Sequence, residues 1–167
     1  MAEFAGDDVR PTSDRAREAL FNILYTHTIG ARVLDLFAGS GALGIESLSR
    51  GAEEVWFNDL SKDSLAILRK NLSALNIGNE ARVTQSDYAK CLETCAGKFD
   101  IIFIDPPYRF EYGKTALEII SKKGLLTENG IAVYERDKPF EGEIDGLEKY
   151  DERRYGKAWL SFFRRIR

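Results

Sequence analysis

Apolar residues along this chain change their period at Arg32. Before it, Ala16, Leu20, Ile23 and Leu24 recur at helical spacing behind Thr12, Ser13 and Asp14, with Arg15 and Glu18 on the wetter side. That pattern predicts a helix from a Thr12 or Ser13 cap to about Tyr25. After Arg32, short apolar runs alternate with longer amphipathic segments, the signature of strand–helix–strand units and of a parallel sheet. Strands are expected at 32–37, 54–58, 82–85, 99–104 and 131–135, and helices near 42–50, 62–75, 88–95 and 112–122. The run Phe99-Asp100-Ile101-Ile102-Phe103-Ile104 is apolar at nearly every position, as a central strand covered on both faces requires. From Asp137 to Asp145, around Pro139, the rhythm breaks into a short or irregular crossover. Residues 147–154 and 158–166 then flank Tyr155-Gly156-Lys157 and read as an antiparallel hairpin. The predicted class is α/β: a doubly wound, mostly parallel sheet closed by a C-terminal antiparallel hairpin.

Composition narrows the chemistry. A chain of 167 residues fits one domain over 1–167, with 1–8 as a short acidic segment, so one site is sought. With 44% apolar and 31% charged residues and no apolar run of bilayer length, neither a disordered nor a membrane-spanning protein is expected. Met1 to Asp8 lacks the basic and apolar regions of a signal peptide, which points to the cytoplasm. Cys91 and Cys95, four residues apart, read as two reduced cysteines on one helix face, and no metal site is expected. His27, the only histidine, reads as a helix-end residue, which removes the main support for a Ser-His triad. A net charge of −3 means that any nucleic-acid role must rest on a local basic surface.

Two segments carry the candidate chemistry. Asp35-Leu36-Phe37-Ala38-Gly39-Ser40-Gly41-Ala42-Leu43-Gly44 places G-x-G-x-x-G at a strand-to-helix turn, where backbone can approach a ligand closely and helix N–H groups can face it. The motif also fits a nicotinamide or flavin dinucleotide. Asp59, twenty residues past Gly39, ends the second strand, where a carboxylate can accept from both hydroxyls of a ribose; a helix cap before Ser61 is compatible with that role. Asp87 can receive an adenine amino group or cap the next helix. The second segment, Asp105-Pro106-Pro107-Tyr108, follows the fourth strand and should face the glycine loop across the point where strand order reverses. Two prolines hold the turn extended and free the Pro106 carbonyl from any ladder. Asp105 and that carbonyl can accept both hydrogens of an amino group, and Tyr108 offers a stacking face. An aryl amine is a poor nucleophile because its lone pair is delocalised. Two acceptors favour a pyramidal nitrogen aimed at an electrophile, and a methyl sulfonium on the glycine-loop side fits that need.

These two segments together resemble the class I amino-group methyltransferases, with a Rossmann-like fold. Val9-Arg10-Pro11-Thr12-Ser13-Asp14-Arg15-Ala16-Arg17-Glu18-Ala19-Leu20-Phe21-Asn22 is similar to the N-terminal helix signature of the RsmD family of 16S rRNA guanine-N2 methyltransferases. The resemblance covers essentially 9–167. It implies S-adenosylmethionine as cofactor, held by Asp35, Gly39 and Gly41 about the methionine moiety, Asp59 at the ribose and Asp87 near adenine, with Phe37, Ala38 and Leu60 as further cofactor-binding residues. It implies Asp105, Pro106, Pro107 and Tyr108 at the target base, and Arg10, Arg15 and Arg17 as substrate-binding residues. The implied partner is ribosomal RNA in a partly or fully assembled small subunit, with no membrane. Members of that family usually begin with a basic β-hairpin. Here acidic Met1 to Asp8 precede the signature, so free RNA is expected to be a poor substrate. Arg153, Arg154, Lys157, Arg164, Arg165 and Arg167 in the tail form either an RNA patch or a solvated hairpin face. Adenine N6 of DNA or RNA is the alternative target, since the tetrapeptide serves both amines. A nicotinamide oxidoreductase leaves Asp105 to Tyr108 unexplained, and a non-catalytic RNA-binding module leaves the whole catalytic set unused.

Overall fold

A computed structural model describes residues 14–107 and 111–166. The elements run α1 (Asp14–Ile23), α2 (Tyr25–Thr28), β1 (Arg32–Asp35), α3 (Ala42–Ser49), β2 (Glu54–Asp59), α4 (Lys62–Ala74), β3 (Ala81–Gln85), α5 (Tyr88–Thr94), β4 (Phe99–Ile104), α6 (Tyr112–Lys123), β5 (Leu126–Arg136), β6 (Leu147–Tyr155) and β7 (Ala158–Arg165). They build a seven-stranded sheet in the order β3-β2-β1-β4-β5-β7-β6. β1 to β5 are parallel, and β7 lies antiparallel to both β5 and β6. This is the doubly wound, Rossmann-like class that the pattern predicts.

The period-2 geometry of a strand explains the apolar runs. Val33, Ile101 and Phe103 point into a cluster with Leu20, Phe21, Leu43 and Leu68 from α1, α3 and α4. Leu34, Ile102 and Ile104 point the other way, onto Leu92, Ala116, Leu117 and Ile120 from α5 and α6. With helices on both faces, β1 and β4 have no wet side. They pair directly, Val33 beside Ile101 and Asp35 beside Phe103, and strand order reverses between them. The ends of these two strands are therefore where a crevice opens.

Several boundaries differ from expectation. The first helix stops at Ile23. Leu24, with ψ 6°, breaks it, and Tyr25–Thr28 forms a separate turn whose Thr28 hydroxyl donates to the Leu24 carbonyl at 3.0 Å. The break keeps Leu24 and Thr28 both buried before the chain reverses at Gly30, φ +73°. The Thr12 or Ser13 cap lies outside the described residues. β1 ends at Asp35 rather than at residue 37, although the Leu36 amide still donates to the Phe103 carbonyl at 3.2 Å. β5 begins five residues early because it meets β4 in two registers, Phe99 with Leu126 and then Ile101 with Ile131. The polar run Thr127 to Gly130 between them conceals that continuity. The closing hairpin is present around Gly156, φ +61°, with a register shift between Lys149 and Asp151.

Candidate functional site

The C-terminal ends of β1, β2, β3 and β4 open into one cavity of about 400 Å³, within the usual size of a small-molecule site. Asp35, Phe37, Ala38 and Gly39 line it from β1, Asp59 and Leu60 from β2, Asp87 from β3, and Asp105, Pro106 and Pro107 from β4. The glycine loop and the Asp-Pro-Pro turn thus share one wall-to-wall space, as their expected adjacency across the strand reversal requires.

Each acidic residue has a defined local task. Asp35 is 1% exposed and accepts from the Gly44 amide at 3.2 Å. Burial pushes its carboxyl up to about 7; the Gly44 hydrogen bond opposes that rise, and the nearby Asp59 charge adds to it. Asp59 accepts from the Gly39 amide at 2.9 Å through one oxygen and from the Ser61 amide at 2.8 Å through the other. It therefore ties the glycine loop to the start of α4 and is not the α4 cap. That cap is Ser61, whose hydroxyl accepts from the Ser64 amide at 3.1 Å. Asp87 caps α5 by accepting from the Lys90 amide at 3.1 Å while still lining the cavity. Its capping and its position facing the cavity coexist.

Gly41 lies one layer behind the other residues of the glycine loop. It is absent from the cavity wall and sits behind the loop at φ +93°, where an added Cβ would overlap the Leu68 side chain. Its requirement is a left-handed entry to α3 and close packing on α4. Gly44 is similar in kind, since a Cβ there would overlap the Phe57 ring and separate α3 from β2. Two of the three expected arginines lie among the described residues, both on α1. Arg17 pairs with Asp14 at 2.8 Å and with Glu46 at 3.8 Å, Arg15 is exposed on α1, and Arg10 and Tyr108 lie outside the described residues.

Sequence reasoning missed two features. Asn58, 1% exposed, donates to the Leu36 carbonyl at 3.3 Å and the Ser86 carbonyl at 3.0 Å. Its oxygen accepts from the Thr84 hydroxyl at 2.8 Å and the Ser86 hydroxyl at 3.2 Å, so one side chain joins the loops after β1 and β3. The available signal was an amide at the end of the apolar run Val55-Trp56-Phe57. Asn58→Leu is expected to lower unfolding free energy by about 2–3 kcal/mol, because the buried Leu36 carbonyl and the half-buried Ser86 carbonyl lose their donor. Denaturant titration checks this, and an unchanged midpoint would mean that the loops re-pair without Asn58. The second feature is an aromatic group at the cavity: Tyr88 and Tyr112 rings lie 4.9 Å apart, and Phe37 lies 5.5 Å from Tyr88. Both tyrosines are the first residues of their helices, a position that carries no periodic signal.

The cysteines stand apart from this chemistry. Cys91 is buried in α5, its thiol pushed up to about 12 by burial first and by Cys95 second, and Cys95 is raised by burial. A thiol held protonated is a poor nucleophile. Among the described residues no group of three or more His, Cys, Asp or Glu side chains is placed to hold a metal ion, and no helix is long and apolar enough to cross a membrane.

Comparison with known proteins gives consistent relatives. The family model described as conserved hypothetical protein 95 matches residues 1–164. The chain is 37% identical over 138 residues to the ribosomal RNA small subunit methyltransferase D of Haemophilus influenzae, covering 80% of this chain and 72% of that one. It is 35% identical over 131 residues to the protein of the same name from Buchnera aphidicola, covering 78% and 69%. A solved structure of a conserved hypothetical protein from Streptococcus pyogenes superposes with a TM-score of 0.82 at 32% identity, covering 88% of this chain and 93% of that one.

Proposed function

The chain belongs to the family described as conserved hypothetical protein 95, and from that premise we propose that it transfers a methyl group from S-adenosylmethionine to guanine N2 of small-subunit ribosomal RNA. The observation that carries the reading is the shared cavity, with the β1 glycine loop on one side and Asp105-Pro106-Pro107 on the other. The relatives named ribosomal RNA small subunit methyltransferase D support RNA as the substrate class.

The residues present fit such a donor. A cationic methionine portion suits the buried Asp35 carboxyl, with Phe37, Ala38 and Gly39 around it. Asp59 keeps a second lone pair on each oxygen for ribose hydroxyls, beside Leu60, which is 68% exposed. Asp87 and the rings of Tyr88 and Tyr112 would frame a flat adenine. S-adenosylmethionine supplies, when bound, a methyl group activated by its sulfonium. The protein's own task is then to hold the acceptor. Asp105 and the Pro106 carbonyl would accept from the two N–H groups of the guanine amine, localising its lone pair and fixing its direction. Buried Pro106 and Ile104 hold that turn still.

Reading guanine N2 rather than adenine N6 as the target rests on the likeness of Val9 to Asn22 to the family's N-terminal signature, because the two acceptors alone serve both amines. A looped-out base in a partly or fully assembled small subunit, in the cytoplasm, is the substrate that this site would take without a duplex-reading domain. The test is to incubate the protein and labelled donor with small subunits from a strain lacking it, then digest to nucleosides. Labelled N2-methylguanine is expected. Labelled N6-methyladenine, or label entering only DNA, overturns the assignment of the product.

A further inference from the structure

The sheet topology splits the basic tail into two groups. β7 runs antiparallel to β5, with Arg136 beside Trp159 and Ala132 beside Phe163. The start of β7 and the end of β6 therefore lie at the same end of the sheet as the cavity, and Arg164 and Arg165 lie at the other end. Ile104, which immediately precedes Asp105, pairs with Tyr134 of β5, and β7 is the next strand out. Two strand spacings put the β6–β7 tip about 10 Å to the side of the Asp-Pro-Pro turn.

The tip sequence is Arg153-Arg154-Tyr155-Gly156-Lys157-Ala158-Trp159, three positive charges without a carboxylate in a chain of net charge −3. Arg153 is offset by Asp151 at 3.1 Å. Arg154 donates to the Gly156 carbonyl at 2.9 Å, and its guanidinium lies 5.5 Å from the centre of the Trp159 ring. Among the described residues neither Arg154 nor Lys157 has an acidic partner, and both are exposed. Arg164, by contrast, is spent on Glu148 at 2.7 Å. A cation held on a ring beside a free lysine is a surface that binds phosphate and stacks a base.

We propose that the β6–β7 tip, through Arg154, Lys157 and Trp159, holds the RNA strand that flanks the target base while that base occupies the cavity. This inference rests on the methyltransferase reading above. It gives a protein of net charge −3 a local basic surface beside the cavity. Sequence selection then belongs to the cavity, because phosphate contacts position without reading bases.

The experiment measures methyl transfer to small subunits from a strain lacking the enzyme, for the unsubstituted protein, Arg154→Gln/Lys157→Gln, Trp159→Ala and Arg164→Gln/Arg165→Gln. For the tip double variant, KM for subunits should rise at least about tenfold, and the slope of log affinity on log salt should become shallower by up to about 2, one per lost phosphate contact. Transfer at saturating subunits, affinity for S-adenosylhomocysteine and melting temperature should stay near their original values. Trp159→Ala should raise KM about tenfold with a smaller change in salt slope. The Arg164 and Arg165 variant should behave as the unsubstituted protein. Label entering RNA with an unchanged KM and salt slope in the tip variants overturns the surface alone. No label entering RNA with the unsubstituted protein overturns the methyltransferase reading and this surface with it.

Discussion

Asp105→Ala is expected to slow single-turnover methyl transfer at least about a hundredfold, in the range of lost polar groups that act on the reacting atoms. S-adenosylhomocysteine affinity should change little. The separation follows from the strand ends: Asp105 leaves β4, whereas the residues proposed to hold the donor leave β1, β2 and β3, apart from Tyr112 at the start of α6. Asp59 makes the contrast, because its carboxylate anchors the Gly39 and Ser61 amides and its loss should loosen the donor loop itself. Asp105→Asn retains one acceptor oxygen and should keep part of the rate. Rapid-quench measurement with saturating subunits, beside calorimetric titration of S-adenosylhomocysteine, separates the two effects. If Asp105→Ala transfers at a near-normal rate, the residue only terminates a buried strand and the amine is held elsewhere.

The two halves of this site were unequally legible in the sequence. Asp35 and Asp105 could be placed because each follows an apolar run directly, and Asp59 because it comes one residue later, after Asn58, at the end of the second strand. Gly41 carries a packing requirement that the motif does not reveal. A glycine motif reports that a side chain is forbidden, and at Gly41 an added Cβ would meet Leu68 of α4, a contact that the motif itself does not name. Asn58 was invisible because its partners, Leu36, Thr84 and Ser86, come from other strands and from loops up to 28 residues away. Arg17 also meets Glu46 of α3, a contact that helical periodicity cannot foresee. The split of the basic tail is of the same kind: Arg154 and Arg164 are ten residues apart in sequence, and only the antiparallel return of β7 carries them to opposite ends of the sheet.

The buried Asp35 carboxyl makes both stability and donor binding depend on pH, in opposite directions. Its value rises from 3.8 to about 7 on folding, chiefly through burial, so between those values the folded protein holds a proton that the unfolded chain has released. Stability from this group is full below about 4 and is lost as pH rises to about 7, with a ceiling of about 4 kcal/mol at about 1.4 kcal/mol per pH unit. Carboxylates held low in the fold, such as Glu54 through its Trp56 hydrogen bond, change stability in the other sense and below about 4.5. The comparison with Asp35→Asn isolates Asp35, because the amide oxygen can still accept from Gly44 while carrying no titrating proton. Denaturant titrations should therefore find the two proteins similar near pH 4 and the variant progressively more stable by comparison towards pH 7. Donor binding should move the other way. A cationic ligand needs the carboxylate, so its affinity should rise up to about tenfold per pH unit below 7, level off above, and be weak and flat in Asp35→Asn. Calorimetry in buffers of different ionisation enthalpy should then record close to one proton released on binding at pH 6. A stability difference and an affinity that are both independent of pH between 5 and 8 would show that Asp35 is already ionised in the folded protein, and that its charge is met from within the fold rather than by the ligand.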